Sequence, residues 1–339
     1  MKQAAILLGE AVCGRPARLS LLGRGAAADA RIRSGDRTFQ VRWTSSGDAA
    51  AVGSAVRQLR DLRRSQGRDV LAVLAVPYMG EAGQRLCAKD GVSWLDLAGN
   101  SQLDAPGLRV YIRGHPNPFK RRGRPSSPFA PRSSRISRWL LMNPGRFVSQ
   151  RELAAATRVG EGFTSRIVHR LEEKELIERN DAGEIRSWDP DLLLDAWAEH
   201  HDFHGNHFVR GHVAVRSGEE LLQRVQAFSK NQRYAATGLA GAWLLTHFAA
   251  FRTATFYVSS FPSAHALKRL GFREEERGSN LWWVVPKDDG VFQGAAEVQG
   301  VQCVHPLQVW LDLQTHPERA KEAADSLRKK LLRWERRRA

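Results

Sequence analysis

SQRELAAATRVGEGFTSRIVHRLEEKELIERNDAGEIRSW, residues 149–188, is the stretch on which the fold turns. It opens with Ser149-Gln150-Arg151-Glu152, a capping box. The Ser149 hydroxyl can take the amide three residues on, while Glu152 reaches back to the start of the helix. That places a helix through Ala156, a short turn at Arg158–Gly160, and a further helix with Ile167, Val168 and Leu171 on one face. Leu176–Arg179 and Glu184–Trp188 then flank Asp181-Ala182-Gly183, the signature of a hairpin. Upstream, Ile136, Trp139 and Leu140 mark an earlier helix that stops at Asn143-Pro144-Gly145.

Three helices followed by a hairpin form a winged helix-turn-helix. In such a unit the third helix enters the DNA major groove and its first residues meet base edges. The expected reading surface is Phe163, Thr164, Ser165, Arg166, His169 and Arg170, with Arg179 and Arg186 of the wing offered to phosphates. Gly160 stands where a Ser or Thr commonly caps such a helix, although Gly tolerates the position. The alternative is a winged helix used for protein contacts alone.

The charge supports the DNA reading. The 339 residues hold 52 Lys and Arg against 36 Asp and Glu, a net charge of +16. Residues 113–138 carry eight basic side chains and no acidic one, and residues 317–339 carry a further +5, so the remaining 290 residues hold only +3. A nearly neutral protein with two basic segments points to a polyanion met locally. The first segment lies beside the winged helix and includes Arg135 and the run HPNPFKRRGRPSSPFAPR (115–132), with five prolines and no periodicity. This is an extended linker. Its Arg121-Arg122-Gly123-Arg124-Pro125 is similar to an AT-hook core, in which Gly lets the backbone approach the minor-groove floor and the arginines follow the groove. A solvated charge run is the competing reading. The basic terminal helix, read from Pro317 with Leu327, Leu331 and Trp334 as its apolar stripe, either touches DNA or simply complements its own dipole.

The first third alternates strands and helices. ADARIRS (28–34) and RTFQVRWTSS (37–46) read as a hairpin about Gly35-Asp36. Val52, Val56, Leu59 and Leu62 mark an amphipathic helix, and DVLAVLAVP (69–77) reads as a strand buried on both faces. A helix over 80–89 and strands at 92–97 and 108–114 complete an α/β unit. Asp29 on one strand and Gln40-Val41-Arg42 on the next resemble the layout of PD-(D/E)xK nucleases. That chemistry needs a carboxylate from each strand to hold Mg²⁺, and a Lys. Gln40 stands in place of the second carboxylate and Arg42 in place of the Lys, so the site reads as degenerate and the protein as no enzyme. A Mg-dependent endonuclease, with Asp29, Asp96 or another acid restoring the site, is the rival.

From about residue 205 the chain reads as a second α/β or α+β domain, with strands at 252–260 and 281–286 and helices at 218–230, 238–249 and 317–335. His200, His201, His204 and His207 crowd HHDFHGNH; His200 and His204 have a spacing that can bind metal on a helix, but a surface or interdomain cluster is the preferred reading, and no metal or other cofactor is expected. Three dispersed cysteines indicate no disulfide framework. No apolar run is long enough to span a bilayer, and the opening residues lack a signal-peptide core.

VSWLDLAGNSQL (92–103), SRIVHRLEEKELIER (165–179), YAATGLAGAWLL (234–245) and VQCVHPLQVWLDLQTHPERAKEAADSLRK (301–329) together resemble the AbiEi-like, type IV antitoxin and transcriptional-regulator family. The family usually places the winged helix first; here residues 1–132 precede it. The resemblance implies a DNA-binding autoregulator whose C-terminal domain serves the antitoxin role. The expected architecture is therefore α/β and α+β multidomain. It comprises a degenerate nuclease-like α/β domain (1–114), a basic linker (115–132), a winged helix-turn-helix (133–190) and an AbiEi-like α/β domain (191–339). The expected partner is double-stranded DNA, in a cytoplasmic, nucleoid-associated protein. A cognate toxin and a homodimer stay open, as does an antitoxin that acts mainly by protein contacts.

Overall fold

A strand made only of aliphatic residues needs neighbours on both edges. In the computed structural model, which describes residues 6–7, 18–22, 28–34, 37–66, 70–105, 107–119, 127–228, 233–248 and 250–334, VLAVLAV has them. Seven strands lie side by side in chain order: β1 (Arg18–Leu21), β2 (Ala30–Ser34), β3 (Arg37–Trp43), β4 (Val70–Val76), β5 (Ser93–Asp96), β6 (Ser101–Ala105) and β7 (Leu108–Ile112). β4 is central and runs parallel to β3 and β5, with Val41 beside Val73 and Val73 beside Ser93; the flanking pairs are antiparallel. The parallel steps require crossovers, supplied by α1 (Ala49–Gln66) and α2 (Glu81–Asp90). Ile32, Phe39, Val41, Val73, Ala75, Leu95 and Leu103 form one buried cluster. The sequence reading missed β1 and β6, both short, and the turn at Gly35-Asp36 lies outside the described residues.

Next come α3 (Ser134–Met142), α4 (Gln150–Thr157), α5 (Glu161–Glu173) and a hairpin of β8 (Ile177–Arg179) and β9 (Ile185–Ser187). By its internal contacts the chain divides within α5: Met1–Ser126 with Val168–Glu199 form one unit, Ser127–Ile167 with His200–Ala339 the other. In the first unit α6 (Pro190–Ala198) starts on Asp189, whose Oδ1 accepts the Leu192 amide at 3.1 Å, with Pro190 at the first helical position. Leu192 packs so closely over Gly53 of α1 that a Cβ there would lie 2.7 Å from Leu192 Cδ1.

The second unit carries another seven-stranded mixed sheet. In chain order its elements are β10 (His207–His212), α7 (Gly218–Phe228), β11 (Tyr234–Thr237), α8 (Gly238–Thr246), β12 (Ala254–Val258), α9 (Ala264–Leu270), β13 (Arg273–Glu274), β14 (Leu281–Val285), β15 (Ala296–Val298), β16 (Val301–Cys303), α10 (Pro306–Leu313) and α11 (Ala320–Leu331). The strand order is β13-β10-β14-β12-β11-β16-β15, parallel only at β14–β12 and β11–β16. α8 and α10 approach closely through Gly241, where a Cβ would stand 3.0 Å from Val309 Cγ2.

Several sequence expectations shift here. The terminal helix starts at Ala320, three residues after Pro317, because Glu318 adopts φ 66 and interrupts the helical path. Leu331 is exposed rather than part of the buried stripe set by Ala323, Ala324 and Leu327. α6 ends at Ala198, so His200 and His204 do not share a helix face. Among the described residues, no helix is long and apolar enough to cross a membrane. The architecture is mixed α/β and multidomain, with the winged helix-turn-helix falling between two mixed-sheet regions in chain order.

Candidate nucleic-acid interface

The helix-turn-helix is held by local chemistry. Ser149 Oγ accepts the Glu152 amide at 3.1 Å, as the capping box requires, while the Glu152 carboxylate is engaged by Arg146. Arg158 ends α4 in the left-handed conformation (φ 54), and the Val159 amide closes on Ala154 O at 3.0 Å. Gly160 then offers its carbonyl to the amides of Phe163 and Thr164, and α5 begins.

Along α5, Thr164, Ile167, Val168 and Leu171 are buried, so they define the inward stripe. Thr164, expected at the reading surface, faces the core instead: it sits three residues before Ile167 and four before Val168. Ser165, Arg166 and His169 are exposed, and Arg170 is half-buried. The helix opens on exposed Glu161, whose Oε1 lies 3.9 Å from Arg151 Nε, and both signs of charge follow along its outward side. Arg166 forms no ion pair among the described residues and lies with its Cζ 5.6 Å from the Phe163 ring centre. Farther on come Glu172 and Glu173, and His169 Nε2 stands 3.3 Å from Glu173 Oε1. The N-terminal half thus presents Ser165 and Arg166 to solvent, with Arg166 in no ion pair among the described residues.

Three other candidate arginines are committed elsewhere. Arg179 bonds Glu172 Oε1 through Nε and Nη2 at 2.8 and 2.7 Å and donates Nη1 to Gly183 O at 2.6 Å. Arg186 is buried against Glu178. Both wing arginines therefore brace the hairpin and helix rather than project from them. Arg135 on α3 makes a bidentate pair with Asp288, Nε–Oδ1 2.6 Å and Nη2–Oδ2 2.9 Å, which holds its pKa above the ordinary value. Arg121, Arg122, Gly123, Arg124 and Pro125 of the linker lie outside the described residues.

The nuclease-like positions form no open acidic pair. Asp29 Oδ1 meets Arg42 Nη1 at 3.3 Å, and Oδ2 accepts the Trp43 amide at 2.8 Å. Gln40 is buried in β3. Asp96, fully buried, organises a turn: it accepts the Met79 amide at 3.1 Å, the Asn100 amide at 2.9 Å and Asn100 Nδ2 at 3.0 Å. Among the described residues no group of three or more His, Cys, Asp or Glu is placed to hold a metal ion. The crowded histidines separate: His200 packs on Phe129, His201 bonds Asp312 at 2.7 Å, His204 bonds Thr315 O at 3.1 Å, and His207 is exposed.

A buried polar centre that sequence reasoning missed ties α3 to the sheet below it. Asp312 accepts from Gln308 Nε2 (2.7 Å), Tyr257 OH (3.1 Å), Thr237 Oγ1 (2.5 Å) and the His201 ring (2.7 Å). Arg138, fully buried on α3, donates to Gln308 Oε1. Burial draws the Arg138 pKa down to about 10 while Asp312 opposes the shift, so the guanidinium stays charged at neutral pH. The one available signal was Arg138 itself, a charge set inside the apolar pattern of SRISRWLLM.

Three helices and a hairpin, with α3 fastened in this way to a mixed-sheet domain, have the arrangement of a winged helix-turn-helix. Comparison with known families agrees. Residues 132–184 match the MarR family model, and residues 186–333 match the model described as "Transcriptional regulator, AbiEi antitoxin, Type IV TA system". Residues 132–184 are thus similar to a MarR-type winged helix and residues 186–333 to an AbiEi antitoxin C-terminal domain. No curated protein and no solved structure matches it. The N-terminal sheet region lies outside both matches, so its likeness to nucleases gains no support from them.

Proposed function

We propose that the protein is an autoregulating DNA-binding antitoxin in which Ser165, Arg166 and His169 read base edges in the major groove. The observation that carries this reading is the outward stripe of α5: Ser165, Arg166 and His169 are polar and exposed, and Arg166 has no ion partner among the described residues. Arg166 suits a bidentate contact to guanine, and each good contact of this kind discriminates by about 1–3 kcal/mol. The linker arginines Arg121, Arg122 and Arg124 supply phosphate or minor-groove contacts in the same proposal. If they and their neighbours neutralise four phosphates, log K falls against log salt with a slope near about −3.6.

In this reading the functional division follows residues 1–114, 115–132, 133–190 and 191–339. The AbiEi-type domain binds a cognate toxin, a homodimer reads a two-fold operator, and the protein works at the cytoplasmic nucleoid. The N-terminal domain is non-catalytic; the occupation of both Asp29 oxygens by protein donors supports this. Selection of bound duplexes from a random pool, followed by anisotropy titration of wild type and Arg166→Ala, tests the proposal. Recovery of a shared motif and a loss of about 10-fold or more at that motif are expected. Failure to enrich any sequence would overturn it.

A further inference from the structure

Winged helices have two routes to a second DNA contact, the wing and the chain leading into the first helix. Among the described residues the wing here offers no cation outside an ion pair. Residues 177–187 hold three acids, Glu178, Asp181 and Glu184, against two arginines. Both arginines are in ion pairs, Arg179 with Glu172 and Arg186 with Glu178. A hairpin of net negative charge with its cations neutralised is repelled by phosphates at the distances where groove contact occurs.

The chain before α3 differs. Arg132 is exposed and has no ion pair among the described residues. Its Cζ lies 5.8 Å from the centre of the Phe163 ring, the same ring that holds Arg166 Cζ at 5.6 Å. A guanidinium within about 6 Å of a ring centre is attracted by the ring quadrupole, and the planar group keeps its charge while stacked. Two like charges brought to one half-buried phenyl ring repel one another. An anion placed against both relieves that repulsion, and no carboxylate among the described residues pairs with either one.

We infer that Arg132, Phe163 and Arg166 act as one DNA-binding unit, in which Arg132 contacts a backbone phosphate next to the base read by Arg166 and supplies the second contact that the wing does not. The ring orders both side chains before DNA arrives, which lowers the entropy lost on binding. The inference rests on the proposed reading by α5 and deepens it.

The experiment uses the full-length protein and a duplex enriched from a random pool by wild type, with anisotropy titrations across a salt series. Arg132→Ala is expected to weaken binding about 5- to 20-fold, and to reduce the magnitude of the salt slope by about 0.9, the change for one lost phosphate contact. Arg132→Lys restores the slope but only part of the affinity. Phe163→Leu keeps both charges and the slope, but weakens binding a few-fold and relaxes selectivity at the base assigned to Arg166. Asp181→Asn, at the wing tip, leaves affinity within about 2-fold of wild type, as expected where no phosphate is near. Circular dichroism confirms that each variant is folded. Arg132→Ala with unchanged affinity and slope overturns the inference, as does Asp181→Asn that tightens binding several-fold, because then the wing lies against phosphates. The two layers separate: if Arg166→Ala weakens binding and Arg132→Ala does not, α5 reads DNA and this inference fails. If neither variant changes affinity, both fail.

Discussion

Replacing Asp312 by Asn changes one atom of a buried centre and leaves its shape intact, which isolates the electrostatics. Four side chains converge on the carboxylate: Gln308, Tyr257, Thr237 and His201. Hydrogen bonds to a charged group contribute about 1.5–3 kcal/mol each. The amide retains one acceptor oxygen and turns a donor toward groups that also donate, so at least one bond is lost outright and the others weaken. A counter-charge that supports Arg138 across the intervening Gln308 also disappears, and leaving a buried charge uncompensated costs about 3–5 kcal/mol. The expected loss is therefore about 4 kcal/mol, read as a shift in the urea midpoint of tryptophan fluorescence at unchanged m-value. A double-mutant cycle with Arg138→Met apportions it. The double variant should lose less than the sum of the singles, because in it the new amide no longer faces an uncompensated guanidinium. A loss under about 1 kcal/mol, or strict additivity, would refute the view that the Arg138–Gln308–Asp312 chain fastens α3 to the domain beneath it.

Three smaller tests follow. His305 caps α10 with Nδ1 accepting the Leu307 amide at 3.2 Å, so that nitrogen must be unprotonated; burial, with Arg138 adding to it, pushes the His305 pKa down to about 4, and burial lowers that of His316 too. Because the unfolded chain then binds more protons, stability is complete above about pH 6.5 and falls as pH drops toward 4, and His305→Asn, which keeps the cap without titrating, flattens part of that fall. A pH-independent urea midpoint across this window would count against the assignment. Ser149→Ala removes the cap of α4 and should lower stability by about 1 kcal/mol in the same urea assay; no change would mean that Glu152 does not rely on it. Gly238→Ala places a Cβ 3.0 Å from His316 at a residue with φ 57, and should lower the melting temperature by several degrees, whereas unaltered melting would show that the loop yields.

Much of this fold was legible because local signals agreed. Ser149 with Glu152, the spacing of Ile167, Val168 and Leu171, and the Asp181-Ala182-Gly183 turn each point to one element, and all appear where the pattern puts them. The unbroken aliphatic run of β4 likewise betrays a central strand. What escaped depends on partners distant in the chain. β16 pairs with β11 through one register contact, Ala236 beside Cys303, and three-residue strands carry too little periodicity to stand out. The same holds for side-chain fates. Arg179 and Arg186 looked available because a sequence shows charge but not pairing, and Glu172 and Glu178 had already claimed them. Thr164 looked exposed because a polar residue near a helix start suggests solvent, yet helical geometry turns it inward. Arg132 drew no notice because its meaning comes from Phe163, 31 positions later.

Everything proposed for this protein depends on the N-terminal half of α5 reading a defined DNA sequence. The decisive experiment is an anisotropy titration of the full-length protein against its own enriched duplex and a scrambled duplex, at one fixed salt concentration. A preference of about 10³-fold or more for the enriched duplex is expected, reduced by at least about 10-fold in Arg166→Ala with non-specific binding less affected. Equal affinity for the two duplexes, or an Arg166→Ala variant that keeps the full preference, would contradict it.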